Sequence, residues 1–124
     1  RAVAVFIEQL TATLVGSSYE AGCPLATTAL ELAAGDDVLA TAIASWFRSW
    51  TARLTEALDT EGYADAPTLA TAVLSAVEGG LILARVERDP APLHRVAAGV
   101  DLLLASVPRA ITEGTAPAPE RRPD

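Results

Sequence analysis

The stretch 66–88, which reads APTLATAVLSAVEGGLILARVER, says most about the architecture of this protein. Its apolar residues recur every three or four positions and form one stripe along a helix. Other apolar residues cover the remaining sides of the same helix: Leu74, Ile82, Leu83 and Val86. A helix that is apolar nearly all round must be buried on more than one side. One side can face the core of its own domain, and we expect the other to face a partner subunit.

The preceding stretch 37–60, DVLATAIASWFRSWTARLTEALDT, has the pattern of a long amphipathic helix. Seven apolar residues share one face of it: Leu39, Ile43, Trp46, Phe47, Trp50, Leu54 and Leu58. Gly62 has the position of a glycine that terminates a helix. Asp65 is suited to cap the N-terminus of the helix that follows.

Three further helices are predicted, over 2–15, 24–34 and 92–107. No segment alternates polar and apolar residues as a half-buried strand does. The sequence therefore predicts an all-α fold, a helical bundle of about five helices. We expect the ordered domain to span 1–107 and the proline-rich, charged segment 108–124 to be a flexible tail.

The composition excludes several classes of protein. Apolar residue types make up 51% of the 124 residues, which is enough for a sizeable core. There is no run of about 18 uninterrupted apolar residues, so we expect no membrane-spanning helix and no membrane partner. The net charge of −7 repels DNA phosphates, so we expect no direct DNA binding by these residues. A single cysteine excludes a disulfide within the chain and fits the reducing cytoplasm.

The sequence lacks the residues of a catalytic or metal centre. It has one histidine, His94, and one cysteine, Cys23, which are too few for most metal sites and catalytic triads. We interpret His94 as a surface or interface residue and Cys23 as a small buried side chain. The pair Gly79-Gly80 lies inside a helix, where it indicates close helix approach and not a phosphate loop. The sequence thus predicts no enzyme, no metal and no cofactor.

The aromatic residues of the long helix allow two interpretations. Trp46 and Trp50 lie one turn apart on its buried face. They can belong to an ordinary packed core or to the wall of a binding pocket, and the spacing favours neither. Indole rings opposite alanines leave gaps, and small-molecule pockets are mostly apolar. Arg53 lies at the edge of the same face and can form a cation–π contact. We predict an apolar cavity lined by six residues: Phe6, Leu10, Trp46, Phe47, Trp50 and Leu74.

Several short motifs occur in an order that is more specific than any one of them. They are Gly22-Cys23-Pro24-Leu25, Ala29-Leu30-Glu31, Trp46-Phe47-Arg48-Ser49-Trp50, Glu78-Gly79-Gly80-Leu81-Ile82-Leu83-Ala84-Arg85, Asp89 and Pro92-Leu93. With these motifs the chain resembles the C-terminal regulatory domain of TetR-family transcriptional regulators, in the LmrA/YxaF-like branch. The similarity extends from residue 1 to about residue 107.

The resemblance implies a regulator with two domains. An N-terminal helix-turn-helix domain, absent from this chain, would contact operator DNA. The last two helices would pair with their copies in a homodimer, as a dimeric four-helix bundle. We assign seven residues to that dimer interface: Leu81, Arg85, Leu93, Val96, Val100, Leu103 and Leu104. The effector pocket would lie among the helices 2–15, 37–60 and 66–88.

The function expected from the resemblance is effector binding and dimerisation in a cytoplasmic, bacterial transcriptional repressor. An apolar and aromatic small molecule would bind the domain and relieve DNA binding. The alternative is a helical homo-oligomerisation module that binds no ligand, which a fully packed Trp46–Trp50 face would favour. A small all-α enzyme is disfavoured because the arginines that would clamp a substrate are scattered along the chain.

Overall fold

The structure, a computed structural model, describes residues 2–31 and 37–110. This part of the chain contains five helices and no strand: α1 (Ala2–Gly16), α2 (Pro24–Glu31), α3 (Asp37–Thr60), α4 (Ala66–Glu87) and α5 (Ala91–Ser106). The prediction of an all-α bundle of five helices is confirmed. The helices begin and end within one residue of their predicted bounds, apart from the end of α2, where 32–34 lie outside the described residues.

Helix α4 is the central element of the bundle. It packs against α3 on one side and α5 on the other, and α1 lies across α4 and α5. Four of its residues have no exposed surface: Ala70, Val73, Val77 and Ala84. By length and composition alone α4 is apolar enough to cross a membrane, although its apolar run is interrupted. Part of α4 is buried between α3 and α5, and the core helices of other proteins can have the same composition.

The ends of the helices follow local hydrogen-bonding rules, with one exception. Gly62 has a φ of 82°, and the N–H of Tyr63 donates to the carbonyl of Leu58 at 3.1 Å, as in a Schellman motif. The predicted role of Gly62 is therefore confirmed. Asp65 precedes α4 but makes no side-chain capping bond, because its own backbone is left-handed. The Asp65 prediction was wrong in this respect. Asp89 instead accepts a 2.8 Å hydrogen bond from the N–H of Ala91 at the start of α5.

Gly80 allows α4 and α5 to approach closely. A Cβ atom at this position would lie 2.8 Å from Cγ2 of Val96 and 3.2 Å from Cδ2 of Leu93. Such distances are too short for non-bonded carbons, so only glycine fits without a shift of the neighbouring helix. A Cβ at Gly79 would meet nothing within 4 Å. The prediction of close helix approach is thus confirmed for Gly80 and wrong for Gly79.

The segment after α5 returns to the turn between α3 and α4. Pro108 accepts a hydrogen bond from the N–H of Ala64, and the N–H of Ala110 donates to the carbonyl of Gly62 at 2.7 Å. The guanidinium of Arg109 stacks on the Tyr63 ring, 3.9 Å from its centre. The flexible tail was predicted to begin at residue 108, which is too early, because these contacts hold 108–110. Residues 111–124 lie outside the described residues.

Candidate functional site

An apolar cavity of about 200 Å³ lies between α1, the start of α2, α3 and α4. The structure brings all six residues of the predicted pocket to its walls: Phe6, Leu10, Trp46, Phe47, Trp50 and Leu74. The walls also include residues that the sequence did not single out for this role: Thr13, Leu14, Ala21, Gly22, Cys23, Pro24, Glu78 and Leu81. That a ligand binds in this cavity stays a prediction at this point.

Three aromatic rings form one wall of the cavity. The rings of Phe6 and Trp50 have centres 5.1 Å apart, and those of Trp46 and Trp50 are 5.5 Å apart. The planes are tilted by 36° and 46°, as is usual for aromatic pairs that do not stack face to face. Trp46 is 49% exposed, so it lies at the rim and borders both the cavity and solvent. The tilted rings leave space that a fully packed core would fill.

Arg53 approaches the aromatic wall from one turn further along α3. Its guanidinium carbon is 5.9 Å from the centre of the Trp50 ring, which is within cation–π range. The predicted contact of Arg53 with the aromatic face is therefore present. Arg53 does not line the cavity itself.

Glu78 places a carboxylate in the wall opposite this aromatic surface. Its Oε2 atom is buried and has no hydrogen-bond partner among the described residues. Burial raises the pKa of the Glu78 carboxyl, and a hydrogen bond with the Cys23 side chain partly opposes that rise. Cys23 is thus partly buried and contributes a polar contact, beyond the purely apolar role expected from the sequence.

The role of Glu78 was missed because helix periodicity was read for apolar residues only. Glu78 lies four residues after Leu74, which was predicted to line the cavity. Positions four apart share a helix face, so the spacing alone was a signal that both side chains reach the same space.

The predicted dimer residues do not form one exposed surface. Four of the seven are buried within the single chain: Leu81, Leu93, Val100 and Leu104. Val96 lies partly buried against Gly80, and Arg85 lies over Gly22 at the start of α2. The four buried side chains have little surface left for a partner, while the assignment of Val96 and Arg85 to the interface stays a prediction. Among the predicted apolar interface residues, Leu103 is the most exposed, at 36%.

A different set of apolar residues is exposed on α4 and α5, and we call it the outer face. It comprises Ile82, Leu83, Val86, Leu102 and Leu103. Val86, the most exposed, has 79% of its surface open, and Leu102 has 74%. Ser75, Gly79 and Gly99 lie at helical spacings from these residues and add small side chains to the same face. The second apolar side that the sequence predicted for α4 is thus real, although other residues form it.

The described residues hold no cluster of three or more His, Cys, Asp or Glu that could bind a metal ion. His94 is exposed at the start of α5 and borders a shallow groove next to α1. Its position agrees with the interpretation of a surface residue.

Comparison with known proteins identifies the family. Residues 1–99 match the C-terminal domain of LmrA/YxaF-like transcriptional regulators. The chain is also 29% identical over 105 residues to YxaF, an uncharacterized HTH-type transcriptional regulator of Bacillus subtilis strain 168. The matched region covers 83% of this chain and 55% of that relative, so the chain spans about half the length of the curated regulator it matches. No solved structure matches. The chain belongs to the TetR-type family of LmrA/YxaF-like transcriptional regulators, a family of regulators and not of enzymes, and corresponds to their C-terminal domain.

Proposed function

We propose that this chain is the effector-binding and dimerisation domain of a cytoplasmic transcriptional repressor. Regulators of this type typically dimerise and bind DNA and small-molecule effectors. An N-terminal domain outside these 124 residues would contact operator DNA. An apolar effector would bind the cavity more tightly in one conformation and so change operator affinity. Such coupling is typically worth about 1–3 kcal/mol.

The observation that carries the proposal is the cavity itself. Its walls are almost entirely apolar, and it is larger than the roughly 150 Å³ cavity that accepts benzene in an engineered protein core. An unfilled cavity costs stability at about 24 cal/mol per Å³. A small domain that retains this space gives up stability that ordinary core packing would supply. Effector binding is the function that accounts for that loss.

The test of effector binding uses p-xylene as an apolar aromatic probe of suitable size. Both tryptophans of the chain line the cavity, so Trp fluorescence reports on this site alone. We expect p-xylene to change the fluorescence and to raise the melting temperature by mass action. Trp50→Ala should weaken both responses. Tyr19→Ala, which truncates an aromatic side chain outside the cavity walls, should preserve them. A saturating probe that changes neither signal would refute effector binding here.

A homodimer through the outer face is the second part of the proposal. Contiguous apolar surface of this kind on a small chain marks an interaction site. The small residues at Ser75, Gly79 and Gly99 would let a helix of the second copy approach closely. Two α4–α5 pairs, one from each copy, would then form a four-helix bundle. Isologous pairing requires one surface to be complementary to itself, which a mainly apolar face satisfies.

The mass of the chain in solution tests this arrangement. Light scattering at micromolar concentration should give a dimer. Val86→Asp should give a monomer, because two unpaired carboxylates would be buried at the two-fold interface. Val38→Asp is the matched control, since Val38 is 82% exposed on α3 and outside the outer face. A monomeric wild type, or a dimer unaffected by Val86→Asp, would refute the proposed interface.

The rival function is a homo-oligomerisation module that binds no ligand. The exposed outer face favours it, because dimerisation alone would explain that surface. The two functions differ only in the use of the cavity, so the p-xylene experiment also separates them. Dimerisation without any probe binding is the outcome expected of the rival.

A further inference from the structure

Glu78 is the one charged side chain among the described residues that line the aromatic cavity. Thr13 and Cys23 are the other polar side chains there, and both are neutral. Arg85 lies on the far side of Glu78, where both residues border an adjoining groove next to Gly22. Within the described residues no cation forms an ion pair with Glu78. The lining of the cavity therefore includes one acidic side chain and no basic one.

The buried Oε2 atom of Glu78 has an unmet need for a hydrogen-bond donor. A carboxylate oxygen without a partner in an apolar environment costs free energy that a leucine would not, and costs more than a neutral amide would. Cys23 does not meet this need, because its hydrogen bond leaves Oε2 without a partner. Glu78 lines the cavity, but Oε2 has almost no accessible surface, so a donor in the cavity recovers this cost when the carboxylate turns toward it.

The aromatic wall favours the same kind of guest. The faces of Phe6, Trp46 and Trp50 carry the negative potential of their ring quadrupoles, which attracts a cation. The cavity thus combines a carboxylate with the aromatic wall, and apart from Thr13 and Cys23 its remaining side chains are apolar. A neutral guest would gain from the apolar walls but not from the charge or the quadrupoles.

We propose that the effector is an aromatic or apolar molecule with a protonated amine, whose ammonium group pairs with the carboxylate of Glu78. This inference rests on the proposed effector binding and adds its chemical class and the residue that selects it. The apolar part of the molecule occupies the space between the rings and Leu74. The ammonium group supplies both the missing donor and the missing positive charge.

Three probes of nearly equal shape separate the contributions. They are p-xylene, 4-methylbenzyl alcohol and 4-methylbenzylamine: an apolar probe, a neutral donor and a cationic donor at neutral pH. Dissociation constants are measured on the 124-residue chain by calorimetry and by Trp fluorescence. We expect the amine to bind at least about tenfold more tightly than the alcohol, as for a desolvated charge-assisted hydrogen bond.

Two variants assign this preference to Glu78. In Glu78→Gln the amine should lose its advantage over the alcohol, while p-xylene should bind within about twofold of its wild-type affinity. Glu56→Gln removes the same charge from an exposed position on α3 and should keep the amine preference. Glu78→Leu provides a second neutral variant in case the amide finds a new partner, and it too should lack the preference.

The outcomes distinguish a failure of the inference about Glu78 from a failure of effector binding itself. If p-xylene binds but the wild type does not prefer the amine, the inference about Glu78 is wrong and effector binding stands. An amine preference that survives in both Glu78 variants also overturns the inference. If none of the three probes binds the wild type, effector binding in this cavity fails and the inference fails with it.

Discussion

The two sides of α4 differ in how tightly they pack against the neighbouring helices. Toward α5 the contact is so close that Gly80 has no room for a methyl group, and Leu93 is completely buried. Toward α1 and α3 the same helix leaves a cavity of about 200 Å³ beneath tilted aromatic rings. The two sides are comparably apolar, so hydrophobicity does not distinguish them. The difference lies in the shapes of the side chains, which interlock on one side and leave space on the other.

Removing a leucine from each side should give the largest contrast. Leu93→Ala deletes a fully buried side chain from the packed side, and we expect it to lower the free energy of unfolding by about 3 kcal/mol. Leu74→Ala enlarges a cavity that already exists, so fewer contacts are lost and the cost should be below about 2 kcal/mol. Urea unfolding at one protein concentration measures both. Equal costs would mean that the cavity side is packed as tightly as the α5 side.

Adding a methyl group tests the packed side directly. Gly80→Ala places a Cβ 2.8 Å from Cγ2 of Val96, and we expect this overpacking to cost about 1–3 kcal/mol. The helix propensity of alanine opposes the loss by at most about 1 kcal/mol. In a Val96→Ala background the opposing methyl is gone, so the cost of Gly80→Ala should shrink markedly. A cost that is the same in both backgrounds would place the strain elsewhere.

The smallest effect concerns the polar residue on the cavity side. Burial raises the pKa of Glu78 above its ordinary value of 4.5, so the folded state holds this proton to higher pH than the unfolded state does. The folded state therefore loses stability as the pH rises through the raised pKa. The carboxylate is flanked by the Cys23 thiol and, in the adjoining groove, by Arg85. Apart from these groups and Thr13, its neighbours in the cavity wall are uncharged and apolar.

Glu78→Gln should accordingly melt a few degrees higher than wild type at pH 7, and the difference should vanish near pH 4.5. Thermal unfolding followed by circular dichroism at both pH values measures this. Glu56→Gln should shift the melting temperature little at either pH, since Glu56 is exposed. A stabilisation by Glu78→Gln that persists unchanged at pH 4.5 would show that desolvation of the carboxylate is not its cause.

The helices and the cavity walls were predictable because periodicity determines them. The spacing of Trp46 and Trp50 placed both rings on one face, and the structure brings them to one cavity with Phe6. The outcome for the dimer surface was different. Both α4 and α5 carry more than one apolar stripe, and a repeat of 3.6 residues does not say which stripe faces the chain's own core. Leu93 was therefore assigned to the partner interface, whereas the structure buries it in the core of its own chain.

Two further features depend on three-dimensional neighbours and not on local pattern. Whether Asp65 caps α4 depends on its left-handed backbone, which is set by the turn that follows Gly62. Glu78 becomes important because α1, α2 and α3 enclose a cavity against this part of α4 and bury its carboxyl. In both cases the residue type was visible in the sequence, but its partner comes from another segment.

The hydrogen bond from Ala110 to Gly62 joins the two ends of the α4–α5 hairpin. The segment from 62 to 110 is thus a closed loop in which the first and last residues meet, and its contacts lie mostly between neighbouring elements of the chain. Such a segment has a low contact order, and a single closure of the chain accounts for its loss of loop entropy. The hairpin can therefore form early in folding and open as a single cooperative unit. Helices α1 and α2, which complete the cavity, would then dock on a hairpin that is already formed.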